Sequence, residues 1–243
     1  MRVESLSVTL RPRLAAEATD LGVALVRANA RSVWFSFAPV FLVFLALACA
    51  TVEITPWLPW LFLFWCKPWL DRSLLFILSR AVFGQSTRFA DLWREGVSVW
   101  CRQLLRTLVW QRLSPWRAFT QPIYQLEGQR GKTLRQRRKL LLDGQRGMAC
   151  AMQFVFANIE MVLTLGLLSA ALWFAPEGHR ENVLAWFSKE HGYWDLLSFG
   201  LYAAVVFALE PFFAAAGLSM YLNRRVELEA WDIEQEFRHV FGS

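Results

Sequence analysis

Glu160 and Glu210 each stand near the middle of a long apolar run, and Lys67, Asp71 and Arg72 interrupt a third. Ionisable side chains in such surroundings must pair with one another, line water or be neutralised. In membrane proteins they mark proton relays, ion paths or structural networks. A charge at mid-helix costs about 2.5–3.5 kcal/mol on insertion scales, so each is expected to face a bundle interior. Lys67 and Asp71 are i,i+4 neighbours, with Pro68 loosening the turn between them. Gln153, Glu160 and Thr164 share one helical face. Ala203, Glu210, Ala214 and Gly217 share another, whose small residues admit a close neighbouring helix. The expectation is a nearly neutral polar knot of Lys67, Asp71, Arg72, Glu160 and Glu210.

No complete catalytic or cofactor motif accompanies these charges. Gly131-Lys132-Thr133 ends like a phosphate-cradling loop, but G-x-x-x-x-G-K-[ST] requires Gly at position 126, which is Leu126. His179 and His191, beside Glu177, Glu181 and Glu190, are separated by a spacing that fits no metal site. Neither G-x-S-x-G nor H-E-x-x-H occurs. Cys49, Cys66, Cys101 and Cys150 form no C-x-x-C and read as small buried hydrophobes. No catalytic residue, cofactor or metal is expected.

The elements that must position the charges are membrane spans. The chain has 243 residues, 56% hydrophobic and 19% charged; soluble domains carry roughly 25% charge. Residues 32–52 are uncharged and long enough to cross a bilayer, which needs about 20 residues. Residues 54–66 are too short alone but continue through Lys67–Arg72 to position 79 as a kinked second span. Residues 148–175 and 196–223 each hold a single charge, Glu160 and Glu210. The stretch before Ser32 lacks an apolar signal-peptide core, so the first span reads as an uncleaved anchor. The predicted fold is all-α and polytopic: four transmembrane helices plus amphipathic helices on the cytoplasmic face.

Between Arg80 and Arg146 there are 14 Lys or Arg against four acids. That excess assigns the segment to the cytoplasm, and both termini with it. The expected divisions are a cytoplasmic amphipathic segment (1–31), a first helix pair (32–80), a basic cytoplasmic segment (81–147), a second helix pair (148–223) and an acidic amphipathic tail (224–243). Residues 6–10 alternate like a short strand. Within 1–31, a helix after Pro12 lies on the inner membrane surface or packs on the cytoplasmic loop. Residues 88–113 read as one amphipathic helix, with Phe89, Trp93, Val97, Trp100, Leu104 and Leu108 opposite Arg94, Arg102 and Arg106. Residues 120–131 read as irregular, followed by a basic helix over 133–142. Arg94, Arg102, Arg106, Arg135, Arg137, Arg138 and Lys139 are expected to meet anionic lipid headgroups or a partner. No nucleic-acid motif accompanies the basic cluster, so no nucleic acid is expected.

Several segments together resemble a family of uncharacterised proteobacterial inner-membrane proteins. They are Leu10-Arg11-Pro12-Arg13 with Asp20-Leu21-Gly22; Lys67-Pro68-x-x-Asp71-Arg72; Leu78-Ser79-Arg80; Phe83-Gly84; Gln125-Leu126-Glu127-Gly128; Glu210-Pro211-Phe212; and Tyr221-Leu222-Asn223-Arg224-Arg225 leading to Trp231-Asp232-Ile233-Glu234. Members are often encoded beside MoxR-type ATPases, which implies a membrane assembly with a cytoplasmic ATPase or other membrane subunits. Longer members carry a further C-terminal domain, so this chain is expected to be a short member or a fragment.

The leading function is a non-enzymatic membrane scaffold or complex subunit, docking a cytoplasmic partner through the basic segment. The runner-up is a transport or proton- or ion-conducting subunit using Glu160 and Glu210. A membrane-embedded lipid-acting enzyme comes third. Against transport, no internal repeat is visible. Assembly as a homo-oligomer would narrow that gap.

Overall fold

The computed structural model describes residues 13–101, 109, 112–173 and 192–229. The expected strand over 6–10, Arg102 and Arg106, the histidine-bearing loop and the tail beyond Glu229 lie outside the described residues.

The described residues form helices and no strands: α1 (Ala15–Ala28), α2 (Ala30–Ala50), α3 (Leu58–Val82), α4 (Phe89–Arg94), a π-helical turn at Val97–Cys101, α5 (Arg117–Gln125), α6 (Gly131–Leu142), α7 (Arg146–Trp173) and α8 (Gly192–Glu229). Three of them, α2, α7 and α8, contain segments long and apolar enough to cross a membrane. The 25 residues of α3 would also reach, but Lys67, Asp71, Arg72 and Arg80 set its composition apart.

α8 is the central post. Its 38 residues reach about 57 Å at 1.5 Å per residue, and α1, α2, α3, α5, α6 and α7 all pack on it. It does not stop at Asn223, so the expected division between a span and a tail falls inside one helix. Small residues set the closest approaches. A Cβ on Gly22 of α1 would sit 2.6 Å from the Ala215 carbonyl carbon of α8. α1 therefore packs on α8 through Ala18, Gly22 and Leu25, at helical spacing, rather than on a cytoplasmic loop. Asn223 clamps the entry to α1, accepting from the Arg13 N–H at 2.9 Å and donating to the Arg13 carbonyl at 2.8 Å. α2 joins α8 by ring stacking, with Phe37 and Phe207 5.7 Å apart and nearly parallel.

The segment between α3 and α7 corrects the sequence reading. Residues 88–113 are not one amphipathic helix: α4 has six residues and gives way to the π-helical turn. That turn lies against α3. Trp100 stacks on Trp69 and donates its indole N–H to Ser73 at 2.9 Å. Farther along, the Arg112 guanidinium lies over the Phe64 ring, near the start of α3. The chain then returns as α5, with Gln121 donating to the Pro68 carbonyl and Gln125 to the Arg72 carbonyl. Every residue from Arg117 to Tyr124 is buried. Residues 120–125, part of the stretch 120–131 expected to be irregular, thus belong to a helix wedged inside the bundle, while residues 126–130 are irregular as expected.

α7 is the opposite case. Only 11% of its apolar window is buried, and Phe154, Val155, Met161, Val162 and Leu165 are exposed. An apolar face of that extent suits hydrocarbon rather than water.

α5 and α8 approach closely, since a Cβ on Gly217 would meet the Ala118 carbonyl carbon at 2.5 Å. Gly217→Ala is expected to cost about 1–3 kcal/mol by overpacking and to lower the Tm in detergent micelles. Gly200→Ala, where a Cβ meets nothing within 4 Å, should leave Tm unchanged.

Candidate functional site

Each helix at the centre contributes a charge for a local reason. α3 brings Lys67 and Asp71 one turn apart, both buried. α7 presents Glu160 on the face it shares with Gln153 and Thr164, and the Thr164 hydroxyl donates to the Glu160 carbonyl at 2.8 Å. α8 presents Glu210 beside its small residues. Those small residues admit α5, which brings Arg117, a residue that sequence reasoning did not single out.

The five side chains form a chain of alternating sign. Lys67 Nζ lies 2.5 Å from Glu160 Oε2 and 3.0 Å from Glu210 Oε2. Glu210 Oε1 accepts from Arg117 Nη2 at 3.0 Å. Arg117 Nε lies 3.2 Å from Asp71 Oδ2. The order Glu160–Lys67–Glu210–Arg117–Asp71 begins and ends on an acid, giving three carboxylates for two cations. Glu210 is the hinge, with one oxygen on each cation. Ions in a low-dielectric interior must be compensated in this way to persist as charges.

Arg72, also expected in the knot, is buried, and its Nε–H donates to the Val99 carbonyl at 2.5 Å. It therefore ties α3 to the π-helical turn. Arg117 further stacks over the Phe213 ring at 4.9 Å. Its Nη1 is buried with no hydrogen-bond partner among the described residues, as is Gln153 Oε1.

One side of the network opens into a cavity of about 840 Å³ between α3 and α7, floored by α8 and by the chain leading into α5. Lys67, Arg112, Arg117, Glu160 and Glu210 all reach it, together with Gln153, Thr164 and Tyr202. Its flanks are apolar: Leu61 and Phe64 on α3, Met161 and Leu165 on α7, all exposed. Among the described residues the lining has no His or Cys, and its carboxylates are each paired to Lys67 or Arg117.

The basic residues expected to meet headgroups or a partner divide into two groups. Arg94, Arg135 and Lys139 are exposed. Arg137 and Arg138 are engaged within the molecule. Arg137 makes a two-pronged pair with Glu127 at 3.0–3.2 Å and a second pair with Glu229. Those hydrogen bonds, Glu127's first, hold its pKa above the ordinary arginine value. Tyr221 donates to Glu127 at 2.6 Å. Arg138 lies over the Trp116 ring at 5.8 Å. This second cluster staples α6 to α8, and the positive φ of 64° at Gly128 turns the chain between Glu127 and α6.

No family model, curated protein or solved structure matches this chain.

Removing Arg117 should be among the most damaging single changes in the protein. Arg117→Met leaves Asp71 and one oxygen of Glu210 buried without a cation, a loss expected to cost about 3–5 kcal/mol. Thermal unfolding in detergent reads it directly. Arg135→Ala, on the exposed face of α6, should stay within about 0.5 kcal/mol of the parent.

Proposed function

We propose that this chain is a non-enzymatic integral membrane subunit whose paired charges hold a rigid frame for a larger complex. The observation that supports this reading is the alternation of five paired charges, four of them buried and Glu160 partly exposed. Each carboxylate of the network is matched to a cation from another helix, so the charges are committed to holding α3, α5, α7 and α8 in register. Breaking one such pair is costly, whereas its net contribution to stability is small, so the use best suited to it is specification of geometry.

In this reading α2, α3, α7 and α8 are four spans of a bacterial inner membrane, with both termini cytoplasmic. α3 belongs among them because Lys67, Asp71 and Arg72 are buried and bonded, Lys67 and Asp71 in ion pairs and Arg72 to a backbone carbonyl. The π-helical turn against α3 and the buried α5 then lie at membrane depth rather than on the cytoplasmic surface. Irregular backbone at depth is tolerated where it is buried in protein. The resemblance to the proteobacterial inner-membrane family belongs to the same proposal. Its Lys-Pro-x-x-Asp-Arg, Gln-Leu-Glu-Gly and Glu-Pro-Phe segments are those that supply Lys67, Asp71, Gln125, Glu127 and Glu210. The exposed basic residues Arg94, Arg135 and Lys139 are the surface offered to anionic headgroups or to a cytoplasmic ATPase or another subunit.

A specific observation favours transport as a second reading. The Glu160 side chain is 19% exposed and lines the cavity, so a carboxylate is reachable from outside the network.

Crosslinking in native membranes followed by capture of the chain tests the proposal. A protein partner should be recovered, and Arg94→Glu with Arg135→Glu and Lys139→Glu should reduce its yield at least about tenfold, since each like-charge contact at an interface costs on the order of a kcal/mol or more. Recovery of only lipid and the chain itself would count against a scaffold. Proton flux into proteoliposomes, abolished by Glu160→Gln with Tm retained, would transfer the assignment to conduction.

A further inference from the structure

The cavity beside the network has unmatched groups of opposite kinds. Arg112 lies over the Phe64 ring, 3.3 Å from its centroid, and has no ion-pair partner among the described residues. Arg117, 97% buried, has Nη1 without a hydrogen-bond partner. Both side chains line the cavity and lie within Coulomb reach of each other. A buried donor left unpaired is destabilising, and an anionic oxygen at that position would relieve it. On the α7 wall the unmet need is reversed: Gln153 Oε1 is buried without a donor, and Glu160 remains partly exposed.

Charge fixes the class of ligand further. With Arg112 counted, the cavity holds three cations, Lys67, Arg112 and Arg117. They face three acids, Asp71, Glu160 and Glu210, that are in or bound to its wall. A site neutral overall gains most from a ligand that is itself neutral overall but carries separated charges. The flanking Leu61, Phe64, Met161 and Leu165 add an apolar exit from the cavity between α3 and α7. A soluble zwitterion would have no use for that exit; an acyl chain would.

We propose that the cavity binds the headgroup of a zwitterionic phospholipid bearing a primary ammonium group. Its phosphate oxygens accept from Arg112 and from Arg117 Nη1. Its ammonium donates to Gln153 Oε1 and faces Glu160. Its chains leave past Phe64 and Leu165 into the hydrocarbon. Arginine suits the phosphate because its planar fork presents several donors at once. The Phe64 ring holds that fork in place by cation–π attraction. The proposal rests on the reading that these helices lie in a bilayer, and it is independent of whether the chain serves a complex or a conduction path.

Native mass spectrometry of the full chain, released from micelles doped with one lipid at a time, tests it. Phosphatidylethanolamine should be retained at one copy per chain. It should exceed phosphatidylglycerol, which lacks the ammonium, and phosphatidylcholine, whose ammonium has no N–H, by about tenfold, the worth of one charge-assisted hydrogen bond. Soluble phosphoethanolamine should not compete at equal concentration; if it does, the site takes the free headgroup and the lipid proposal is overturned. Arg112→Gln should lower phosphatidylethanolamine retention about tenfold with Tm unchanged. Phe64→Leu, which keeps the apolar wall, should lower it less. Equal retention of all three lipids, or full retention by Arg112→Gln, would overturn the proposal. Loss of retention together with a fall in Tm for Arg112→Gln would also overturn it, by making Arg112 a structural residue.

Discussion

Glu210 holds the structure together by accepting two cations at once. One of its oxygens faces Lys67 at 3.0 Å and the other faces Arg117 at 3.0 Å. Lys67 belongs to α3 and Arg117 to α5, so a single carboxylate on the central helix fixes the depth of two neighbours. The remaining pairs extend that constraint, Glu160 drawing in α7 and Asp71 closing the loop back to α3. A hydrophobic contact tolerates a sliding helix; a chain of alternating charges does not, because a shift of one turn would leave like charges adjacent and donors unpaired. The alanines and glycines of α8 serve this geometry. Gly217 brings Ala118 against the α8 backbone, which places the neighbouring Arg117 within reach of Glu210.

The buried α5 has consequences for the rest of the fold. It turns the basic stretch between α3 and α7 from one surface into two parts: a wedge inside the bundle and an exposed rim on α4 and α6. Residues 112–115, leading into α5, line the cavity together with α3 and α7. The lateral cavity is the space left by that arrangement. Its mixture of paired acids, a stacked arginine and apolar flanks follows from where the wedge stops, at Arg112 over Phe64.

The apolar runs over α2, α7 and α8 were legible from composition, and three of the expected spans meet the length and apolarity needed to cross. The juxtaposition of Lys67, Asp71, Glu160 and Glu210 followed from the cost of isolated charges in apolar runs, and the small-residue face around Glu210 correctly announced a close helix. Which helix would come was not legible. Arg117 sits among many other basic residues, and its depth depends on long-range packing that no local pattern encodes. A signal was nonetheless present: residues 118–126 carry no charge in an otherwise basic segment, and their polar members, Thr120, Gln121 and Gln125, are amides and a hydroxyl suited to capping backbone carbonyls inside a bundle. The expected amphipathic helix over 88–113 is interrupted at Glu95, and its apolar stripe divides: Trp93 and Val97 stay exposed. Trp100 instead stacks on Trp69 within the fold.

The coupling between Arg117 and Glu210 tests the central claim most directly. A double-mutant cycle built from Arg117→Met, Glu210→Gln and the double variant, read by reversible unfolding in detergent, isolates the interaction between α5 and α8. The account predicts a coupling of about 1–3 kcal/mol, with the double variant less damaged than the sum of its parts. Additive losses, with no coupling, would mean that Arg117 does not meet Glu210 and that α5 is not seated where the charge network requires it.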